Sequence, residues 1–392
     1  MKAMIIGDAN SIHIHNFIEI VFSNNERLEL TIFNTSQNKN MNEDTQKYFK
    51  EKNINLISGN TLEELVNVKC FRAIPKVSTL IYRYKLSNRI KKSGKFDYCL
   101  IHFVDKLKAS IILKNKKQFK NIITIFWGSD LLRNPKINKT IFMKLFNNSY
   151  KIIFNTEYMH ERFKGNFELK YDYKSEVIKF PIHSFDEINK INESMTKEEL
   201  FNKLNLPSNK NIIVCGHSAF KAEQHSELIR ALSMCSDDTL NSCYFIFPMT
   251  YGEKNIKEQQ EEVSNLMDKF ELEGRVLTKY LMKKEMLEYM ICADVFISVI
   301  KTDAFSAVLQ ENIYSGSTII YGSWLKYHEF SKNKIYAKTV DDIDDITNTL
   351  ENVIANIEIE RMKCLKNKDV IFGISSPESI KSTWQKKVFL MY

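Results

Sequence analysis

Short apolar runs alternate with longer stretches of helical periodicity along most of this chain. The runs at 1–7, 28–33, 98–103, 122–127, 152–155 and 177–180 are rich in Ile, Phe and Val. They are too short for buried helices and predict strands. Helical patterns lie between them, for example at 14–22, 77–90, 105–113 and 156–163. Strand, helix, strand in series implies a parallel sheet with helices on both faces. After a polar stretch at 186–206 the pattern restarts, with strands expected at 211–215, 244–248, 275–277, 294–300 and 318–321. This reads as a second α/β domain, with a linker near Pro181-Ile-His-Ser-Phe-Asp186. The last segment opens with Ser376-Pro377-Glu378, a good helix start, and is expected to cross back to the first domain. The expected division is 1–183, 184–375 and a closing helix at 376–392. The expected fold class is α/β, with two doubly wound domains facing across a cleft.

Length agrees, because 392 residues exceed one ordinary core. No apolar run reaches about 18 residues, so no membrane-spanning helix is expected. The opening Met1-Lys-Ala-Met-Ile-Ile-Gly-Asp8 is too short for a secretory core and reads as a first strand. Seven scattered cysteines (Cys70, Cys99, Cys215, Cys235, Cys243, Cys292, Cys364) never form a CxxC pair. They read as reduced thiols of a cytoplasmic protein.

Charge changes the picture more. Residues 1–150 carry 25 Lys+Arg against 12 Asp+Glu, whereas the remainder carries 31 against 36. A basic first half calls for an anionic partner: membrane phospholipid, a lipid-linked phosphate or nucleic acid. Val77, Leu80, Ile81 and Tyr84 recur at helical spacing beside Arg83, Lys85, Arg89, Lys91, Lys92 and Lys95. Such a basic amphipathic helix rests on anionic lipid or packs on its own domain. No basic stripe interleaved with aromatics is present, so nucleic acid is not the expected partner. The acidic run Asp341–Asp345 starts a helical pattern and reads as a solvated helix terminus rather than a metal site.

Candidate chemistry sits where strands hand over to helices, since ligands of open α/β sheets bind at the carboxyl ends of strands. The richest stretch is Asp303-Ala-Phe-Ser-Ala-Val-Leu-Gln-Glu311, between the strand-like runs 294–300 and 318–321. A helix amino terminus attracts a diphosphate, and a carboxylate beside it can accept sugar hydroxyls. Together they suit a nucleotide-sugar. Lys221, in Gly216-His217-Ser218-Ala-Phe-Lys221-Ala-Glu-Gln-His225, is a point charge for the diphosphate or the exposed lysine of an ordinary loop. Tyr251 and Tyr280 follow further strands and are candidate walls for the nucleotide. In the first half, His13 follows Gly7-Asp8 as an acceptor contact or a surface histidine. Asp130, in Trp127-Gly-Ser-Asp130, is a hydroxyl ligand, a base or a turn cap. His102 is a cleft residue or a packing histidine.

These residues resemble a known family. Asp303-x7-Glu311 followed by Gly316 is similar to the E-x7-E signature of GT-B glycosyltransferases. Trp127-Gly-Ser-Asp130 resembles the Gly-Ser-Asp of their first domains, and Asn155-Thr-Glu157 their Asn-Ser-Glu turn. Phe180-Pro-Ile-His183 stands where their linker begins. Gly216-His-Ser with Gln224-His225, then Pro248-Met-Thr-Tyr-Gly252, resembles the group that includes the 4-acetamido-4,6-dideoxygalactose transferase of enterobacterial common antigen. The resemblance implies two Rossmann-like domains, the first binding acceptor and the second the nucleotide-sugar. It implies that Lys221 neutralises the diphosphate, beside His217, Ser218, His225, Tyr251 and Tyr280 as candidate donor contacts of the loops read above. Asp303 would hold the sugar, the backbone of Phe305, Ser306 and Ala307 the sugar and diphosphate, and Glu311 the ribose. Asp303 counts among the catalytic candidates with Asp130, His13 and His102; one of the last three would be the base of an inverting reaction, whereas a retaining reaction would require none. No metal or other cofactor is implied. Asp replaces the first Glu of the signature, Ser306 replaces its glycine, and the usual arginine partner of the lysine is absent.

The expected function is transfer of a sugar to a lipid-linked glycan in bacterial surface polysaccharide synthesis, at the inner face of the plasma membrane. The rival readings are a sugar-nucleotide epimerase of the same shape and a non-catalytic partner subunit.

Overall fold

The computed structural model describes residues 1–23, 28–36, 41–58, 75–133, 139–167 and 169–389. The chain divides into two compact units, Met1–Pro181 with Ile380–Tyr392, and Ile182–Ser379.

Unit 1 is built on β1 (Lys2–Gly7), β2 (Glu29–Asn34), β3 (Asn55–Ser58), β4 (Phe96–His102), β5 (Phe119–Phe126), β6 (Lys151–Phe154) and β7 (Ser175–Val177). Their order is β3-β2-β1-β4-β5-β6-β7, every pair parallel. Helices cover both faces, so the strands are buried on both sides and read as unbroken apolar runs; Ala3, Met4, Ile5 and Ile6 are all buried. The register sets Ile5 beside Ile32 on one side and Leu100 on the other.

The closing helix Pro377–Trp384 and the π turn Gln385–Phe389 complete this core. Trp384 is fully buried, edge-on to Phe17 with ring centroids 4.8 Å apart. Phe389 packs on Phe22 and Tyr98. Lys381 Nζ donates to the Ser23 carbonyl at 3.2 Å and its hydroxyl at 2.8 Å.

Unit 2 is built on β8 (Asn211–Cys215), β9 (Cys243–Pro248), β10 (Gly274–Leu277), β11 (Val295–Ser298), β12 (Thr318–Gly322) and β13 (Lys338–Val340). Their order is β10-β9-β8-β11-β12-β13, again parallel throughout. Asp294, just ahead of β11, is a buried junction. It accepts from Ile212 N–H at 2.9 Å, Lys197 Nζ at 2.9 Å and Arg361 Nη2 at 2.7 Å.

The expected α/β class with two parallel sheets is the observed one. Three details differ. The sequence reading lacks β3 and β13, both short, partly polar strands at sheet edges, where one neighbour is missing and apolar content can fall. The run at 177–180 pairs at 175–177 instead. The run at 294–300 narrows to four residues, because Asp294 turns its carboxylate to the junction above. The described cysteines are free and buried; Cys70 lies outside the described residues.

Replacing Trp384 by Ala removes the largest buried side chain of the closing segment. It is expected to cost about 3–5 kcal/mol and to expose the C-terminus to limited proteolysis. An unchanged urea midpoint and digestion pattern would show that this segment does not hold unit 1 together.

Candidate functional site

In each sheet the chain order reverses once, between β1 and β4 in unit 1 and between β8 and β11 in unit 2. Crossovers leave such a pair toward opposite faces, so the loops at their carboxyl ends part and leave a crevice.

In unit 2, three segments meet there. The loop after β8 is tied to β11 by Gly216 N–H on the Ile297 carbonyl at 2.9 Å, Lys301 N–H on the Ala222 carbonyl at 2.8 Å and Gln224 Nε2 on the Val299 carbonyl at 2.5 Å. The loop after β9 joins through Ala219 N–H on the Tyr251 carbonyl at 2.7 Å. Gly252 must lack a side chain, because a Cβ there would lie 2.8 Å from the Ala219 carbonyl carbon.

The third segment leads into the helix Ala307–Ser315. Asp303 Oδ2 accepts from Ser306 N–H at 2.8 Å and from the Tyr327 hydroxyl at 2.7 Å. Its Oδ1 has no partner among the described residues. Phe305 adopts a left-handed φ of 60°, at a cost of about 1–2 kcal/mol. Burial of its ring against Tyr327 and Phe330 offsets that cost. The Ser306 hydroxyl caps the helix by accepting from Leu309 N–H at 3.4 Å. Among the described residues no acceptor meets the N–H groups of Ala307 and Val308. The result is a helix amino terminus with two open donors beside a half-buried carboxylate, the local requirement for a diphosphate joined to a sugar.

The other predicted donor residues divide. Lys221 is exposed, on the same β8 loop, and its ammonium has no ion-pair or hydrogen-bond partner among the described residues. Tyr251 is 44% exposed; burial of the rest of it, then Glu223, Glu311 and Asp303, pushes its phenol upward. Three carboxylates thus lie within electrostatic reach of one phenol. Glu311 is buried within its helix and accepts from the Ser184 hydroxyl. His217 is partly exposed beside Tyr251, centroids 6.5 Å apart.

Three donor expectations need correction. Ser218 is fully buried and donates its hydroxyl to Glu223 at 2.7 Å. His225 is buried, with Nε2–H donated to the Ser218 carbonyl at 2.7 Å. Both shape the loop from inside rather than facing a ligand. Tyr280 follows the edge strand β10, two strands from β8, and is 79% exposed; nothing draws it to the crevice. Sequence reasoning missed Glu223, which is 1% exposed and sits under the β8 loop. A lone glutamate in a strand-to-helix loop carries no signal of burial.

In unit 1, His13, His102 and Asp130 gather around Trp127. Its ring lies 4.6 Å from His13 and 5.5 Å from His102, and it stacks on Phe180 at 4.0 Å. Only His13 is exposed. Asp130 is buried and accepts from Val104 N–H at 2.8 Å, and from Trp127 and Gly128 N–H at 3.0 Å each. Burial pushes its carboxyl up to about 6, against those three backbone donors. It clamps the loops after β4 and β5, which is a turn cap's work rather than a free base's. His102 is 1% exposed, and neither ring nitrogen has a partner among the described residues. Burial, then Lys108 and His13, push it down to about 3. That leaves it a packing histidine and a poor base.

The helix Pro75–Lys92 turns Leu86 and Ile90 into its own unit, and Ser87 accepts from Asn115 Nδ2 at 2.8 Å. Lys85, Lys91 and Lys92 are exposed, Arg83 and Arg89 partly so. The side chains of Val77 and Leu80 lie outside those described. Nearby, Lys2, Lys95, Lys117 and Lys120 line a cavity of about 300 Å³. Among the described residues, no helix is long and apolar enough to cross a membrane, and no three His, Cys, Asp or Glu side chains gather as metal ligands.

No protein-family model and no curated protein matches this sequence. Solved structures do match its fold. HepE of Anabaena in complex with UDP superposes with a TM-score of 0.70 at 11% identity, covering 100% of both chains. A glycosyltransferase of Rickettsia africae gives 0.71 at 12%, over 99% of this chain and 98% of that one. The α,α-trehalose-phosphate synthase of Burkholderia vietnamiensis gives 0.70 at 8%, over 100% of each. The chain therefore has the GT-B glycosyltransferase fold.

His102 makes stability depend on pH. In the fold it stays neutral down to about 3, while in the unfolded chain it takes a proton near 6.5. Its contribution is whole above that value and is lost as pH falls through the window between them. Asp130, held up to about 6, works in the opposite sense, so comparing variants isolates the histidine. Between pH 7 and pH 5, His102→Phe is expected to lose about 2 kcal/mol less than wild type in urea unfolding. Equal losses would mean that His102 is protonated in the fold.

Proposed function

We propose that this chain is a glycosyltransferase that moves a sugar from a nucleotide-sugar to a glycan acceptor. The observation that carries this reading is the crevice between β8 and β11. There the N–H groups of Ala307 and Val308, Asp303 Oδ1 and the Lys221 ammonium, none with a partner among the described residues, belong to one set of loops. The UDP and UDP-glucose complexes of HepE lend it support through the shared fold.

In this reading the helix terminus and Lys221 neutralise the diphosphate as it leaves, with no metal required. Asp303 orients the sugar, and Glu311 meets the ribose. Unit 1 takes the acceptor, with His13 the exposed member of the cluster around Trp127. The acceptor is lipid-linked and belongs to a surface polysaccharide. The enzyme works in the cytoplasm, against the inner face of the membrane. Support for that location comes from the exposed basic residues of the helix Pro75–Lys92 and the lysine-lined cavity.

Three measurements test this. Thermal shift with UDP, GDP and dTDP is expected to show stabilisation by one of them; none would favour the inert subunit. Asp303→Ala and Lys221→Ala are each expected to cut turnover at least about tenfold, and a fully active double variant would remove the donor site from this crevice. Conversion of free nucleotide-sugar without acceptor would instead favour the epimerase.

For the membrane, replacing Arg83, Lys85, Arg89, Lys91 and Lys92 by Gln removes roughly 1 kcal/mol of attraction per side chain. The variant is expected to leave anionic vesicles that bind the wild type. Unchanged co-sedimentation would refute the assignment.

A further inference from the structure

The β8 loop is assembled over a carboxylate that the donor reading does not use. Glu223 Oε1 accepts the Ser218 hydroxyl at 2.7 Å and lies 3.0 Å from His217 Nδ1. Its Oε2 is buried with no partner among the described residues. A buried carboxylate is costly unless a charge or donors meet it, and the imidazole of His217 is the charge within reach. Gly216 makes room for the pair. Its φ is +64°, and a Cβ there would lie 2.8 Å from Glu223 Oε2 and 2.6 Å from His225 Cε1. With Nδ1 turned to Glu223, Nε2 is the outward nitrogen of a side chain 18% exposed. It has no partner among the described residues.

We propose that His217, oriented by Glu223, carries a proton and donates Nε2–H to the diphosphate of the nucleotide-sugar, as the second cation of the donor site beside Lys221. The chemistry follows from the two nitrogens. A neutral imidazole that donates Nδ1–H to Glu223 presents a lone pair at Nε2, which repels a phosphate oxygen. An imidazolium presents N–H groups at both. The contact therefore exists only in the protonated form. Besides Glu223, the titratable groups around His217 are His225 of the following helix, Lys221 of its own loop and Tyr251 of the β9 loop. Tyr251 in turn feels Asp303 and Glu311. Glu223 touches no substrate and is a positioning residue.

This inference rests on the donor-site reading, and the experiment separates the two. UDP-glucose, GDP-mannose and dTDP-glucose are titrated into the full chain by calorimetry from about pH 5.5 to about pH 8.5, across the imidazole range. These diesters carry no phosphate that titrates near neutrality. The ligand that binds is expected to bind about tenfold more tightly at the acid end, the worth of one charge-assisted hydrogen bond. His217→Gln is expected to keep the high-pH affinity at every pH. Glu223→Gln is expected to lose a similar factor at low pH, because the ring is no longer held. Lys221→Ala is expected to weaken binding at every pH while keeping the slope. Should a nucleotide-sugar bind with no pH dependence, or with the same dependence in His217→Gln, the donor site stands and this inference falls. Should none bind, both fall. His217→Gln, at a partly exposed position, decides the matter even if the buried Glu223→Gln fails to fold.

Discussion

Parallel pairing is the constraint on which both units rest. A parallel strand cannot be joined to its neighbour by a tight turn, so each connection must cross a face of the sheet. Crossovers cover both faces with helices, which is why the strands are apolar throughout. They also send every carboxyl end to one edge of the sheet. Where strand order reverses, the covering helices diverge, and the loops at that edge have nothing above them. The chemistry-bearing side chains of each unit collect there for a topological reason, before any residue is chosen for function.

Choice enters in how those loops are held. Gln224 and Phe305 adopt left-handed backbone at the two ends of the β8–β11 crevice. Each costs about 1–2 kcal/mol and persists because its neighbourhood over-determines it. Gln224 is pinned by its own amide on the Val299 carbonyl, and Phe305 by its buried ring. Between them the Asp303 carboxylate receives two donors on one oxygen and leaves the other open. Strain of this kind fits a surface that must be ready before a ligand arrives.

Sequence pattern gave the parallel sheets because periodicity reports burial, and burial in such a sheet is two-sided and continuous. β8 begins and ends where its apolar run does. β3 and β13 are invisible for the converse reason: Asn55-Leu-Ile-Ser58 and Lys338-Thr-Val340 lie at sheet edges and need little apolar surface. At the crevice, Asp303, Ser306 and Lys221 were legible because helix starts and loop lysines have local signatures. Ser218, His225 and Glu223 were not, since whether a polar side chain faces ligand or is folded beneath its loop depends on tertiary neighbours. Glu223 reads like any surface glutamate, yet it is among the most buried carboxylates here, with Glu288. Asp130 likewise read equally well as base or cap, and only its three backbone donors decide between them.

The carboxylates pose an electrostatic problem that the loops resolve. Tyr251 senses Glu223, Glu311 and Asp303 together, so an entering diphosphate meets a region with three acidic groups. Unshielded like charges a few ångströms apart repel by several kcal/mol at the effective dielectric of a protein surface. A helix terminus supplies only about half a positive charge, and one lysine a single unit. The balance turns on how far each carboxylate is already occupied. Glu311 is engaged by Ser184, Glu223 by Ser218 and His217, and Asp303 by Ser306 and Tyr327 on one oxygen. Hydrogen bonds spread each negative charge over its donors and turn it inward. What faces outward is then the amide end of the helix, Lys221 and the outer nitrogen of His217, with one oxygen of Asp303 and the second oxygen of Glu311 left to meet hydroxyls. An anion-binding edge can therefore be lined with acids, provided that each acid is claimed by the protein before the anion arrives.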